Sequence, residues 1–77
     1  MQEYFSRKIL AVCNILKKDG FDAALNAAER VQETADEYCH DGDLTCLQSC
    51  AIQATLDAVL KREIEADAAE ANIAYYF

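Results

Sequence analysis

The chain has no proline and only two glycines, Gly20 and Gly42. Without proline, nothing in the covalent chain forces a helix to stop. Both glycines fall between segments whose apolar residues recur at helical spacing, so the breaks themselves predict three helices. No internal repeat, low-complexity linker or domain boundary is visible, and 77 residues make a single domain, 1–77. A chain this small buries a modest core, so a staple or an oligomer is expected to support it.

Long hydrophobic runs are also lacking. The apolar stretch 9–16 is interrupted by Asn14, followed by Lys17 and Lys18, and has no small-residue cleavage site after it. It therefore does not read as a signal peptide. No stretch is long enough to span a bilayer. The expected location is the reducing cytoplasm.

Positive charge is scarce, and the net charge is −7. Residues 1–22 hold four cations against three acids, and residues 23–77 hold three against eleven. Phosphate contacts need a basic surface, so direct nucleic-acid binding is disfavoured. Acidic membranes are disfavoured for the same reason. A basic protein partner suits this charge.

Catalytic motifs are missing too. His40 is the sole histidine. There is no Ser/His/Asp set, phosphate loop or His-Glu metal pair. The acids read as solvated helix faces, and a chain this short is expected to lack the walls of a substrate-sized cavity. The expectation is a non-enzymatic protein without a cofactor.

What is present is helical periodicity. The first helix is predicted at about 3–19, with Phe5, Ile9, Val12, Cys13 and Leu16 on one face. Gly20 is placed to end it as a left-handed cap, with Phe21 as the apolar contact of that cap. The second is predicted at about 22–40, with Asp22 as N-cap and Leu25, Ala28, Val31, Ala35 and Tyr38 inward beside Ala24. Asp41-Gly42 supplies a turn, and Asp43 is placed to cap the third helix.

The third helix is predicted at about 44–75 and carries two stripes. Leu44, Leu47, Ala51, Ala54 and Ala58 form one; Ile52, Leu56, Val59, Leu60 and Ile64 form the other. Helices half as long cannot cover both. The expected fold is an all-α, three-helix antiparallel bundle that dimerises along the third helix. The dimer seam would be Ile52, Leu56, Leu60, Ile64 and Ala68, the same surface on each chain.

Cys39, His40, Cys46 and Cys50 are the most suggestive chemical group. Cys46 and Cys50 lie one helical turn apart. Three thiolates and an imidazole could hold zinc, but no Cys-x-x-Cys knuckle is present and no metal is assigned. A disulfide from Cys39 to Cys46 or Cys50 and ordinary reduced thiols both stay open. Length and acidity are similar to those of acyl carrier proteins, which attach their cofactor to the serine of an Asp-Ser-Leu. Asp43-Leu44-Thr45 stands at the corresponding place without that serine, so the chain is not assigned to that family.

Two surfaces read as binding surfaces. Asp36, Glu37, Asp41, Asp43, Glu63, Glu65, Asp67 and Glu70 could imitate a phosphate backbone, as in small phage and plasmid inhibitors of nucleic-acid enzymes. The alternative is a face kept soluble by charge. Tyr75, Tyr76 and Phe77 make an aromatic ending with large area and few rotors. The expected function is binding, and inhibiting or regulating, a basic protein partner. The alternatives are a metal- or redox-responsive switch on the cysteine cluster, or a structural assembly subunit.

Overall fold

The computed structural model describes residues 1–77 and holds four helices and no strand. They are α1 (Gln2–Asp19), α2 (Phe21–His40), α3 (Cys46–Leu60) and α4 (Ala66–Tyr76). The all-α expectation stands; the three-helix plan does not. A straight helix over 44–75 would be about 48 Å long at 1.5 Å per residue, whereas the longest dimension of the molecule is 34 Å. The radius of gyration, 11.4 Å, is that of one folded chain of this length, roughly 11–12 Å.

α1 follows its sequence pattern: Phe5, Ile9, Val12, Cys13 and Leu16 are all buried. Lys17 and Lys18 occupy its last turn, where cations suit the carbonyl end of the helix dipole. Gly20 alone joins α1 to α2. Its N–H donates to the Ile15 carbonyl, and its own carbonyl accepts from Ala24 N–H, each at 3.2 Å. Its φ of 92° and ψ of −175° lie in a region essentially reserved for glycine. This is not the left-handed cap expected, and Phe21 is half exposed rather than packed on it. Gly20, not Asp22, is the N-cap of α2; Asp22 sits in the first turn, where a negative charge is still favourable.

α2 buries Ala24, Ala28, Val31 and Ala35. Leu25, expected inward, is exposed, because the alanine edge beside it takes the core and brings the backbones close. The turn after α2 satisfies its last carbonyls by bonds from Gly42 N–H to Cys39 and from Asp43 N–H to Tyr38, the pattern of a Schellman ending. Thr45, not Asp43, caps α3: its hydroxyl accepts from Gln48 N–H, and the Gln48 side chain accepts from Thr45 N–H, both at 3.0 Å.

α3 ends at Leu60, and α4 folds back beside it. Asp43 and Leu44 therefore precede the helix rather than begin it, and Leu44 is buried. Of the first predicted stripe, Leu47 and Ala54 face outward and Ala51 inward. Of the second, Ile52, Leu56 and Val59 enter the molecule's own core, and Leu60 and Ile64 pack against it half-buried.

The seam expected of a dimer is thus dismantled within one chain. Ile52 and Leu56 are buried, and Ala68 stands exposed on a different helix. Much of the stripe that argued for two-fold pairing is covered within the chain, where Ala69 and Ile73 of α4 join the same core, so it no longer argues for a dimer. α1 and α3 touch each other and both remaining helices, while α2 and α4 stay apart. No helix is long and apolar enough to cross a membrane.

Candidate interaction surface and the opposite cavity

Both ends of the bundle can be placed from side-chain contacts. Tyr38, near the end of α2, meets Tyr4 and Phe5, near the start of α1, edge-on at 6.4 and 6.2 Å. Phe77 reaches Phe5 at 6.4 Å. Gln48, in the first turn of α3, donates from Nε2 to the Tyr76 carbonyl at 3.1 Å. The starts of α1 and α3 and the ends of α2 and α4 therefore share one end, and the helices run up, down, up, down.

The aromatic ending divides between two roles. Phe77 is half-buried against the core. Tyr75 is 83% exposed, and Tyr76, stacked edge-on against it at 5.0 Å, is partly exposed. Met1, Tyr4 and Leu47 are exposed at the same end, Leu47 by 64%. Sequence pattern marks none of these three as surface candidates. Leu47 misleads because its spacing from Leu44 and Ala51 fits an inward stripe, whereas the helix starts only at Cys46 and presents it outward. Lys8 Nζ lies 5.5 Å from the Tyr4 ring, a cation–π distance.

The eight candidate acids do not form one face. Asp36 and Glu37 near the end of α2, with Asp41 and Asp43 in the following turn, stand at the aromatic end and are exposed. Glu63 and Glu65 lie in the turn between α3 and α4, and Asp67 in the first turn of α4, at the opposite end. Glu70 lines a groove between α1 and α4 with Glu3 and Arg7, which are themselves paired.

Cys39, Cys46 and Cys50 flank the turn between α2 and α3. Cys39 is half-buried, and Cys46, exposed, lies near it across the 41–45 turn. Cys50 stands one turn along α3. All four cysteines are free thiols, Cys13 being buried in the core. Desolvation, then the hydrogen bond and charge of Cys46, then the charges of Asp36 and Cys50 push the Cys39 thiol above its ordinary pKa. His40 is exposed, and no three His, Cys, Asp or Glu side chains converge as a metal would require.

A half-open cavity of about 370 Å³ lies at the other end. Its walls are Cys13, Leu16, Val59, Ile64 and Ala66, with Lys17, Arg62 and Glu65 around the polar rim. Burial pushes the Cys13 thiol up in pKa, and the nearby Lys17 ammonium works against that shift. The cavity exists because α4 turns back: a continuous helix would have carried Ile64 and Ala66 away from α1.

No protein-family model, curated protein or solved structure matches the chain.

Proposed function

We propose that the protein is a non-catalytic binding module that engages a basic protein partner through its aromatic end and thereby inhibits or regulates it. One observation carries this reading: Tyr75 and Leu47 are left in water at the same end of a folded bundle, amid four exposed acids and near Tyr4 and Tyr76. Large apolar side chains left exposed among charged ones are what a partner surface presents. Asp36, Glu37, Asp41 and Asp43 favour a cationic partner and speed its approach. Glu63, Glu65 and Asp67 lie too far along the bundle to join the same contact, so an extended phosphate-backbone mimic is the weaker form of the idea.

The test is photocrosslinking from position 75, with binding then measured for whatever is captured. Tyr75→Ala and Leu47→Asp should each weaken that binding at least tenfold, about 1.4 kcal/mol. Asp41→Lys with Asp43→Lys should slow association and remove its salt dependence. Binding indifferent to all four substitutions would end the proposal.

The nearness of Cys39 and Cys46 across the 41–45 turn favours a second reading, a redox-responsive switch. A disulfide oxidant such as oxidised glutathione would join the two sulfurs and leave as two molecules of the reduced thiol. The staple would fix the end of α2 to the start of α3. Intact mass would fall by two hydrogens, and Cys39→Ser would prevent it. Binding unchanged by that oxidation would remove the switch and leave the binding module.

A further inference from the structure

The cavity at the opposite end carries an inference independent of the aromatic surface. Its walls come from the last turns of α1 and α3, the 61–65 turn and the start of α4. Five of its eight lining residues are hydrophobic. Its volume falls at the lower end of the roughly 300–1,000 Å³ of small-molecule sites.

The lining carries two cations in a chain with a net charge of −7. Among its lining residues Lys17 and Arg62 stand against Glu65, with Glu63 and Asp67 exposed just outside the lining. Neither cation is in an ion pair; the molecule's one salt bridge joins Arg7 to Glu3. At the same rim α4 begins without a side-chain cap. Its first backbone bond runs from Ala69 N–H to the Glu65 carbonyl, which leaves the N–H groups of the first turn without backbone partners. Arg62 is held at this rim by a backbone with φ of 60°, a conformation that costs a residue with a Cβ and clusters at functional sites.

We propose that this cavity is a binding site for a small amphiphilic carboxylate, with its apolar body against Leu16, Val59 and Ile64 and its carboxylate between Lys17 and Arg62. The body covers the partly exposed Ile64 and Ala66; Leu16 and Val59, already buried, form the floor beneath it. The head gains two cations that have no carboxylate partner in the folded chain. Glu65, with Glu63 and Asp67 nearby, limits affinity. A ligand the size of octanoate should bind with a dissociation constant on the order of 1 mM, the range reached by a small ligand of ordinary efficiency.

Titration of the full chain with octanoate, monitored by amide chemical shifts, tests this directly. The expected result is saturable shifts confined to Leu16, Lys17, Val59 and residues 62–66, with octanamide binding at least tenfold more weakly. Lys17→Glu with Arg62→Glu should weaken octanoate at least tenfold while the rest of the spectrum stays folded, since both side chains are exposed. Ala66→Leu, which fills the cavity without altering charge, should also reduce binding. Shifts that do not saturate, that centre on Tyr75 and Tyr76, or that octanamide reproduces at equal concentration would overturn the proposal. So would a charge-reversed double variant that binds like the wild type.

Discussion

The turns at residues 41–45 and 61–65 have the same backbone and different sequences. Each opens on a right-handed residue, Asp41 or Lys61, with φ near −80°. A residue at positive φ comes next, Gly42 at 88° or Arg62 at 60°. Asp43 N–H returns to Tyr38 and Glu63 N–H to Ala58, at 2.8 and 2.9 Å. An apolar residue then turns inward, Leu44 fully and Ile64 halfway. An extended N-cap, Thr45 or Glu65, starts the next helix. Local chemistry supports the first turn at every step: glycine where φ is positive, a buried leucine, a reciprocal cap. The second has arginine at positive φ and no side-chain cap. A turn with so little local support must be held from outside itself, by the packing of α4 against the core.

That difference breaks first at Ile73. It is fully buried, and with Ala69 it is all that α4 gives the core as buried residues. A helix of 11 residues is marginal alone in water. Ile73→Ala should cost about 2–5 kcal/mol, seen as a lower denaturant midpoint. Amide exchange in α4 should accelerate before exchange in α1 and α2 does. Uniform acceleration would mean that α4 and the 61–65 turn open only with the whole molecule.

The two inward residues sharpen the comparison next. Leu44→Ala should cost about 2–3 kcal/mol, the usual toll for emptying a buried leucine site. Ile64→Ala should cost less, about 1–2 kcal/mol, because that side chain is only partly buried. Equal losses by thermal or chemical denaturation would show that Ile64 anchors its turn as firmly as Leu44 does.

These two turns also explain what can be read in the sequence. α1 and α2 are legible because Gly20 and Gly42 mark their ends and their apolar faces are amphipathic. The 61–65 turn is not, because Ile52, Leu56, Leu60 and Ile64 keep helical spacing straight across it. Its positive φ falls on an arginine, and no proline or glycine flags it. Without the fourth helix, apolar residues that enter the chain's own core look uncovered, and they read as a dimer seam. Thr45-x-x-Gln48 is a legible capping box, but Asp43 lies closer to Gly42 and competes with it for the role. Of the candidate surface, Tyr75 and Tyr76 can be proposed from composition, and the structure does leave them outward. Leu47, Tyr4 and the cavity depend on where helices start and turn, which no local pattern records.

Exchanging the positive-φ residues should shift stability in opposite directions. Gly42→Ala meets no atom within 4 Å of the added carbon, so its cost is backbone strain alone, about 1–2 kcal/mol. Arg62→Gly removes the same kind of strain. It also makes the unfolded chain more flexible, so the gain should be smaller, under about 1 kcal/mol. Chemical denaturation of both variants reads the two signs. A loss at Arg62→Gly would mean that the arginine side chain contributes more than its backbone costs, which contacts at the cavity rim could supply.

The smallest effects belong to the caps, and they test whether local support can be transplanted. Thr45→Ala removes the hydroxyl that accepts from Gln48 N–H and should cost about 1 kcal/mol. The matching positions in the second turn are Glu65 and Ala68, both exposed. Glu65→Thr with Ala68→Gln writes the same box at the start of α4. The new cap satisfies donors that now have no side-chain partner. It also gives up the attraction between the Glu65 carboxylate and the helix dipole, about 0.3–1 kcal/mol. The net gain should be about 0.5 kcal/mol, read as slower amide exchange confined to α4. If exchange in α4 does not change, its ends already open and close with the core contact at Ile73, and tertiary packing alone holds the second turn.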